Sequence, residues 1–180
     1  MSVSLTQPQT VDYSPDIDVR AGAHSDYGSI TLLFQRPSQP GLEIRPPDNS
    51  DTWQPVPVFP PNYPSTTYPP ILVNIADLMS YWTGGLLRST VHRVIFPKDS
   101  QGAKDRYSIA YFAHPRDDTE LVAVPSRLVQ EHISKTKGLE MVEHGHGGGV
   151  TKERAITAKE HLMKRLNATY PHLNVDSAVG

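Results

Sequence analysis

Most of the chain's 17 prolines fall between Arg36 and Pro70, and this distribution limits the fold more than any other feature. Each pyrrolidine ring fixes φ and removes a backbone donor. No long helix can run through such a region, and a strand there is held to an edge. What the prolines leave is a series of short extended runs. Residues 29–35 read as a buried strand and residues 41–45 alternate apolar with polar, as a half-buried strand does. Residues 53–58 are extended, with Pro55 and Pro57 confining them to an edge. Residues 59–70 form a surface loop. Residues 71–75, nearly all apolar, predict a central strand. Asp77 is placed to cap a short helical turn through residues 78–82, which Gly84-Gly85 stops. Further strands are predicted around His92, over residues 106–113 and over residues 121–125.

Seven or eight short strands at turn-punctuated spacing indicate an all-β sandwich or barrel. Ahead of them, residues 1–20 read as an extended arm with room for one edge strand. Residues 126–151 are ambiguous: Leu128, Val129, His132 and Ile133 recur at helical spacing, and residues 145–149 form a glycine-rich loop. The final element is better marked. Thr157-Ala158-Lys159-Glu160 has the form of a capping box. Leu162, Met163 and Leu166 then share a face, and Glu160–Lys164 is a favourable pair four residues apart. This amphipathic helix is expected on the outside of the barrel. The expected organisation is an arm (1–20), a β domain (21–125) and a C-terminal loop and helix (126–180).

Composition narrows the chemistry. A chain of 180 residues is long enough for one domain with a real core, and 20% charged residues with a net charge of −2 give no reason to expect nucleic acid or an anionic membrane as partner. The absence of cysteine excludes disulfide scaffolds, thiol nucleophiles, Cys-ligated zinc and ordinary iron–sulfur clusters. It also fits a reducing compartment, so a cytoplasmic location is expected. No apolar run approaches the roughly 20 residues of a membrane span.

The residues with the clearest chemistry are His24, Asp26 and His92. On a strand entering a loop, residues two apart face the same way, so one ion can touch both His24 and Asp26. His92, in another strand-like run, would have to meet them. Two imidazoles and a carboxylate suit Fe(II), Mn(II) or Zn(II) and leave coordination positions open. The plainer alternative is a surface histidine and an unrelated core histidine. Arg106 and Ser108, on one face of a later strand, add a planar guanidinium fork and a hydroxyl, a clamp for a carboxylate. Their plainer alternative is an ordinary surface arginine beside a strand serine. His144 and His146, in the glycine-rich loop, are candidates for adventitious metal only.

Five pieces occur in order: His24-x-Asp26; Gly28-x-x-Thr31-Leu32-Leu33-x-Gln35; Val73-Asn74-Ile75-Ala76-Asp77-Leu78; Arg88-Ser89-Thr90-x-His92-Arg93-Val94; and Arg106-x-Ser108. Together they resemble the catalytic domain of the Fe(II)- and 2-oxoglutarate-dependent dioxygenases, in the branch of isopenicillin N synthase and the plant-type oxidases. The resemblance covers residues from about 20 to 125 plus the terminal helix. It implies a mainly β fold, a double-stranded β-helix (jelly roll, cupin-like) with a C-terminal α-helix. It implies His24, Asp26 and His92 as iron ligands, and Arg106 and Ser108 as the binders of the distal carboxylate of 2-oxoglutarate. With O2 as second co-substrate and ascorbate as an optional reductant, such an enzyme couples decarboxylation of 2-oxoglutarate to succinate with hydroxylation or desaturation of a small organic substrate. Tyr111 or Phe112 occupies the strand position where the family places a substrate contact.

Relatives in this branch carry a long region ahead of His-x-Asp, including an Asn-x-Tyr-x-Pro motif that helps hold 2-oxoglutarate. Here 23 residues precede His24 and that motif does not occur. The expectation is a barrel face left open, to be covered by a partner or an upstream segment. Two rival readings follow: an oxidase of the same fold that uses no 2-oxoglutarate, and a non-catalytic jelly roll that holds metal or ligand without turnover.

Overall fold

The computed structural model describes residues 2–6 (as backbone), 19–47, 51–64, 68–96, 105–136 and 155–170. Eight strands and three helices lie within them: β1 (Ser2–Thr6), β2 (Val19–His24), β3 (Ile30–Gln35), β4 (Leu42–Ile44), β5 (Gln54–Pro55), β6 (Leu72–Ile75), α1 (Asp77–Trp82), β7 (His92–Ile95), β8 (Arg106–Ala113), α2 (Arg127–Thr136) and α3 (Ala158–Thr169). The expected glycine-rich loop, with His144 and His146, lies outside the described residues. No helix among the described residues is long and apolar enough to cross a membrane.

Two compact units emerge, each drawn from segments far apart in the chain. The first comprises Met1–Ser25, Thr31–Asn74 and Thr90–Phe112; the second comprises Asp26–Ile30, Ile75–Ser89 and Ala113–Gly180.

The strands form two four-stranded sheets, in the orders β1-β8-β3-β6 and β2-β7-β4-β5. The N-terminal strand anticipated in the arm is β1, antiparallel to β8 with Ser2 opposite Ala110 and Thr6 opposite Arg106. In the other sheet β7 lies between β2 and β4 and is antiparallel to both. The proline-confined run shortens to β5, two residues at the end of its sheet, as the missing donors of Pro55 and Pro57 require. Arg93 ties β7 to β4. Its Nε donates to Glu43 Oε2 at 2.7 Å, directly across the ladder, and its guanidinium lies 4.3 Å from the centre of the Trp53 ring. The small core of this unit includes Leu42, Val58 and Phe96.

Two strand expectations need correction. Residues 71–75 were expected to be central, yet among the described residues β6 is the last strand of its sheet. Val73 is 57% exposed there and Ile71, just outside the strand, 51%. An unbroken apolar run signals burial on both faces only where another layer covers each face. Residues 121–125 do not form a strand. They are pinned by isolated backbone bonds, Leu121 N–H to Ile156 at 2.8 Å and Val124 N–H to Trp82 at 3.2 Å.

The second unit packs α1 and α3 around Leu78, Leu121 and Ala158, with Tyr81, Trp82 and Ile156 against them. Asp77 does not cap α1. The N-cap is Ala76, which makes no side-chain cap bond. Instead the chain of residues 26–29 turns its carbonyls on the start of the helix: Asp26 accepts from Asp77 N–H at 2.8 Å, Gly28 from Leu78 at 3.0 Å and Ser29 from Ala76 at 3.0 Å. These bonds satisfy donors that a helix start otherwise leaves unmade. The end of α1 follows expectation. Gly84 and Gly85 take positive φ (61° and 83°), and their N–H groups return to Tyr81 at 3.0 Å and Ser80 at 2.8 Å, a Schellman closure that suits glycine. Helical spacing in residues 126–136 resolves as α2. The capping box of α3 forms in both directions, with Glu160 Oε2 accepting from Thr157 N–H at 2.8 Å.

His161, on the inward face of α3, is 6% exposed and lies 5.3 Å from the Tyr81 ring. Burial, with smaller contributions from Arg165, His114 and Lys164, outweighs the opposing pull of Asp77 and pushes its pKa down to about 4.

Two outcomes test this packing. Leu78→Ala, which empties a site of 0% exposure, should lower the free energy of urea unfolding by about 2–5 kcal/mol, whereas Leu128→Ala, at 61% exposure, should change it by less than about 0.5 kcal/mol. His161 stays neutral in the fold well below the pH at which it protonates in the unfolded chain. The unfolded state therefore binds the extra proton, and the His161 contribution falls as pH drops from about 6.5 to about 4, on the order of 2–3 kcal/mol. Unfolding midpoints of the metal-free chain across that window should fall less steeply for His161→Gln; equal slopes would contradict the assignment.

Candidate metal centre

His24 ends β2, His92 begins β7, and the two are direct antiparallel partners. Directly opposed residues bring their Cβ atoms to about 5 Å, close enough for two side chains to share one ion. The ring centroids here are 4.4 Å apart, with the planes inclined at 55°. The β2–β7 ladder is irregular in two places between Val19 and His24. Such bulges re-aim the side chains that follow them, and Ala21-Gly22-Ala23 offers little bulk to resist. Asp26 lies two residues beyond His24 in the loop, 7% exposed. One ligating atom from each of the three residues lies within 4.8 Å of the other two. Among the described residues this is the one cluster of three histidines or acids so arranged.

Each imidazole is oriented by the backbone just before it. His24 Nδ1 is 2.7 Å from the Gly22 carbonyl oxygen, and His92 Nδ1 is 3.0 Å from that of Thr90. A carbonyl oxygen only accepts, so Nδ1 carries the proton in each ring, which leaves Nε2 as the nitrogen with a lone pair to offer a metal. The donor set, two neutral nitrogens and a carboxylate oxygen, fits Fe(II) with positions left open. Its burial is graded, with Asp26 buried, His92 intermediate and His24 exposed, so solvent reaches the His24 side.

Arg106 and Ser108 project from one face of β8. Arg106 is 7% exposed. It donates to Ser108 Oγ at 3.3 Å and to Gln35 Oε1 at 3.4 Å, two long bonds to neutral oxygens. Its pKa is lowered by burial first and then by the nearby Arg20 cation. A guanidinium does not deprotonate in proteins, so the charge persists in a place that disfavours it. Gln35 stood within one of the quoted motifs without a role; no signal in the sequence paired it with Arg106.

Alternation along β8 separates the two aromatic candidates. Phe112 falls on the face of Arg106 and Ser108, Tyr111 on the opposite one. They are 45% and 50% exposed. Trp82 packs against the Leu78 core, and Arg93 is held by Glu43 and Trp53, so both act structurally.

The chain is similar to known proteins in family, sequence and structure. Residues 5–115 match the 2OG-Fe(II) oxygenase superfamily, a span that holds all five residues of the two clusters. A UPF0676 protein of Schizosaccharomyces pombe is 42% identical over 91% of this chain and 41% of its own length. The validamycin A dioxygenase of Streptomyces hygroscopicus is 33% identical over 79% of this chain and 42% of its own. Among solved structures, a full-length Neurospora crassa protein in complex with alpha-KG aligns with a TM-score of 0.58 at 31% identity, covering 86% of this chain and 39% of that one. A Caulobacter crescentus 2OG-Fe(II) oxygenase family protein aligns at 0.61 and 28% identity, covering 92% and 44%. The chain thus spans about four tenths of the length of these relatives. The two sheets and the C-terminal helix are those of the jelly-roll oxygenases, as the resemblance implied. With more than half of its residues matched to the family, this chain belongs to the 2OG-Fe(II) oxygenase superfamily, in keeping with an isopenicillin N synthase-like branch.

Proposed function

We propose that the chain forms the catalytic part of a non-haem Fe(II)- and 2-oxoglutarate-dependent oxygenase acting on a small organic molecule. The observation that carries this reading is the approach of His24, Asp26 and His92 to within 4.8 Å, with both imidazoles held in the ligating tautomer by Gly22 and Thr90. In this reading His24 Nε2, His92 Nε2 and the Asp26 carboxylate hold Fe(II). Bound there, Fe(II) would supply the redox chemistry that links decarboxylation of 2-oxoglutarate with oxidation of a substrate C–H bond. Arg106 and Ser108 receive the distal carboxylate. The guanidinium fork fixes its orientation, the Ser108 hydroxyl adds a donor, and the Arg20 charge strengthens the attraction. Phe112, on the same face, is the better placed of the two aromatic residues for a substrate contact. Relatives support the class of substrate: the Neurospora crassa protein has been crystallised with thymine and with 5-formyluracil.

Three measurements test this. Anaerobic addition of 2-oxoglutarate to the Fe(II)-loaded chain should produce a visible charge-transfer absorption, and His92→Ala should abolish it; an unchanged band in that variant would falsify the assignment. Arg106→Met should raise the Kd for 2-oxoglutarate on the order of 10- to 100-fold, the equivalent of a charge-assisted hydrogen bond of about 1.5–3 kcal/mol, while Mn(II) affinity stays in place. Succinate release that depends on 2-oxoglutarate separates this reading from an oxidase that dispenses with it, and O2 consumption without succinate would favour the oxidase.

A further inference from the structure

The Asp26 ligand is held by its backbone as well as by its place after β2. Its carbonyl accepts from Asp77 N–H at 2.8 Å, at the first residue of α1. Asp77 is itself gripped from α3. Its Oδ2 lies 2.7 Å from an Arg165 guanidinium nitrogen, with the two side chains 5% and 22% exposed. The same guanidinium lies 5.9 Å from the centre of the Tyr27 ring, and Tyr27 immediately follows Asp26. The Tyr27 hydroxyl donates to Thr169 Oγ1 at 2.9 Å, and Thr169 Oγ1 donates to the Arg165 carbonyl at 3.0 Å. Arg165 and Thr169 are four apart, so they share one face of α3. That face holds both neighbours of the ligand: the residue after it in the chain, and the residue whose N–H binds its carbonyl.

We propose that Arg165 is a positioning residue for the metal ligand Asp26, acting through the Asp77 ion pair and the Tyr27 ring. The inference rests on the reading of His24, Asp26 and His92 as the metal site. It assigns the C-terminal helix a task beyond packing. A part-buried ion pair fixes the start of α1 against α3, and a rotation of the Asp26–Ser29 loop would have to break that arrangement. Hydrogen bonds are directional, so a small shift of the Asp26 backbone re-aims its carboxylate. Groups that orient a ligand in this way typically change metal affinity by about 10- to 100-fold when removed.

The test measures Mn(II) affinity by EPR on the full chain, without 2-oxoglutarate, below the melting temperature of every variant. Arg165→Met and Asp77→Asn should each raise the Kd for Mn(II) by about 10-fold or more. Arg165→Lys, which keeps a cation beside Asp77, should recover most of the loss. Thr157→Ala, which removes the cap of α3 and lowers its stability, should keep the Kd within about 2-fold. If Arg165→Met does not fold, Thr169→Val, which removes the Tyr27 hydrogen bond at the same grip, carries the same expectation of weaker binding. Normal Mn(II) binding by Arg165→Met overturns the proposal. So does equal weakening by Thr157→Ala, which would make the effect one of stability, and so does failure of the lysine variant to recover affinity. Failure of the unsubstituted chain to bind Mn(II) overturns the metal-site reading itself, and is distinguishable from all of these.

Discussion

The candidate centre depends on one register: His24 opposite His92 in the antiparallel β2–β7 ladder. Side chains alternate along a strand, so a slip of one residue would turn one imidazole to the other face. The register is held on the far side of β7 as well. Leu42 opposes Val94 and Ile44 opposes His92, and the Arg93–Glu43 pair closes across the same two strands. With β7 fixed between two partners, the carbonyls of Gly22 and Thr90 set both rings in the same way, each from two residues upstream.

Charge around the site is arranged by sign. The candidate metal ligands bring one carboxylate, while Arg106 and Arg20 bring two cations into a part of the fold where burial disfavours charge. Arg106 also reaches Ser108 and Gln35 through long hydrogen bonds. In the second unit the balance is different. Asp77 and Arg165 neutralise one another at 2.7 Å, and His161 beside them is kept neutral by burial. This second group of ionisable residues holds a loop and two helices together.

Much of the fold was legible because it was written in local pattern. The β8 alternation reads off residues 106–113 directly, the glycines after Trp82 end α1 where positive φ is needed, and Thr157 with Glu160 marks the start of α3. The errors came where local pattern depends on what covers it. Residues 71–75 are apolar enough for a central strand, but among the described residues β6 is the last of its sheet and Val73 is exposed. Asp77 has the chemistry of a cap, yet loop carbonyls take the helix N–H groups and its carboxylate turns to Arg165 instead. His161 carried no sequence signal of burial, since one helical face in isolation does not say which neighbour it meets.

The sequence by itself determined which chemistry was available. Two histidines, one aspartate, and an arginine and serine on one strand face were set out in an order that resembles an oxygenase, and the absence of cysteine removed the main competing metal sites. Tertiary structure decided whether those groups meet, because a separation of 68 residues between His24 and His92 is closed by strand pairing alone, which no local spacing specifies. It also decided what lies behind them: two backbone carbonyls for the rings, Gln35 for Arg106, and the Asp77–Arg165 pair beside the Asp26 loop. Those contacts join residues far apart in the chain, and they follow from long-range hydrogen bonding and burial rather than from any periodicity along it.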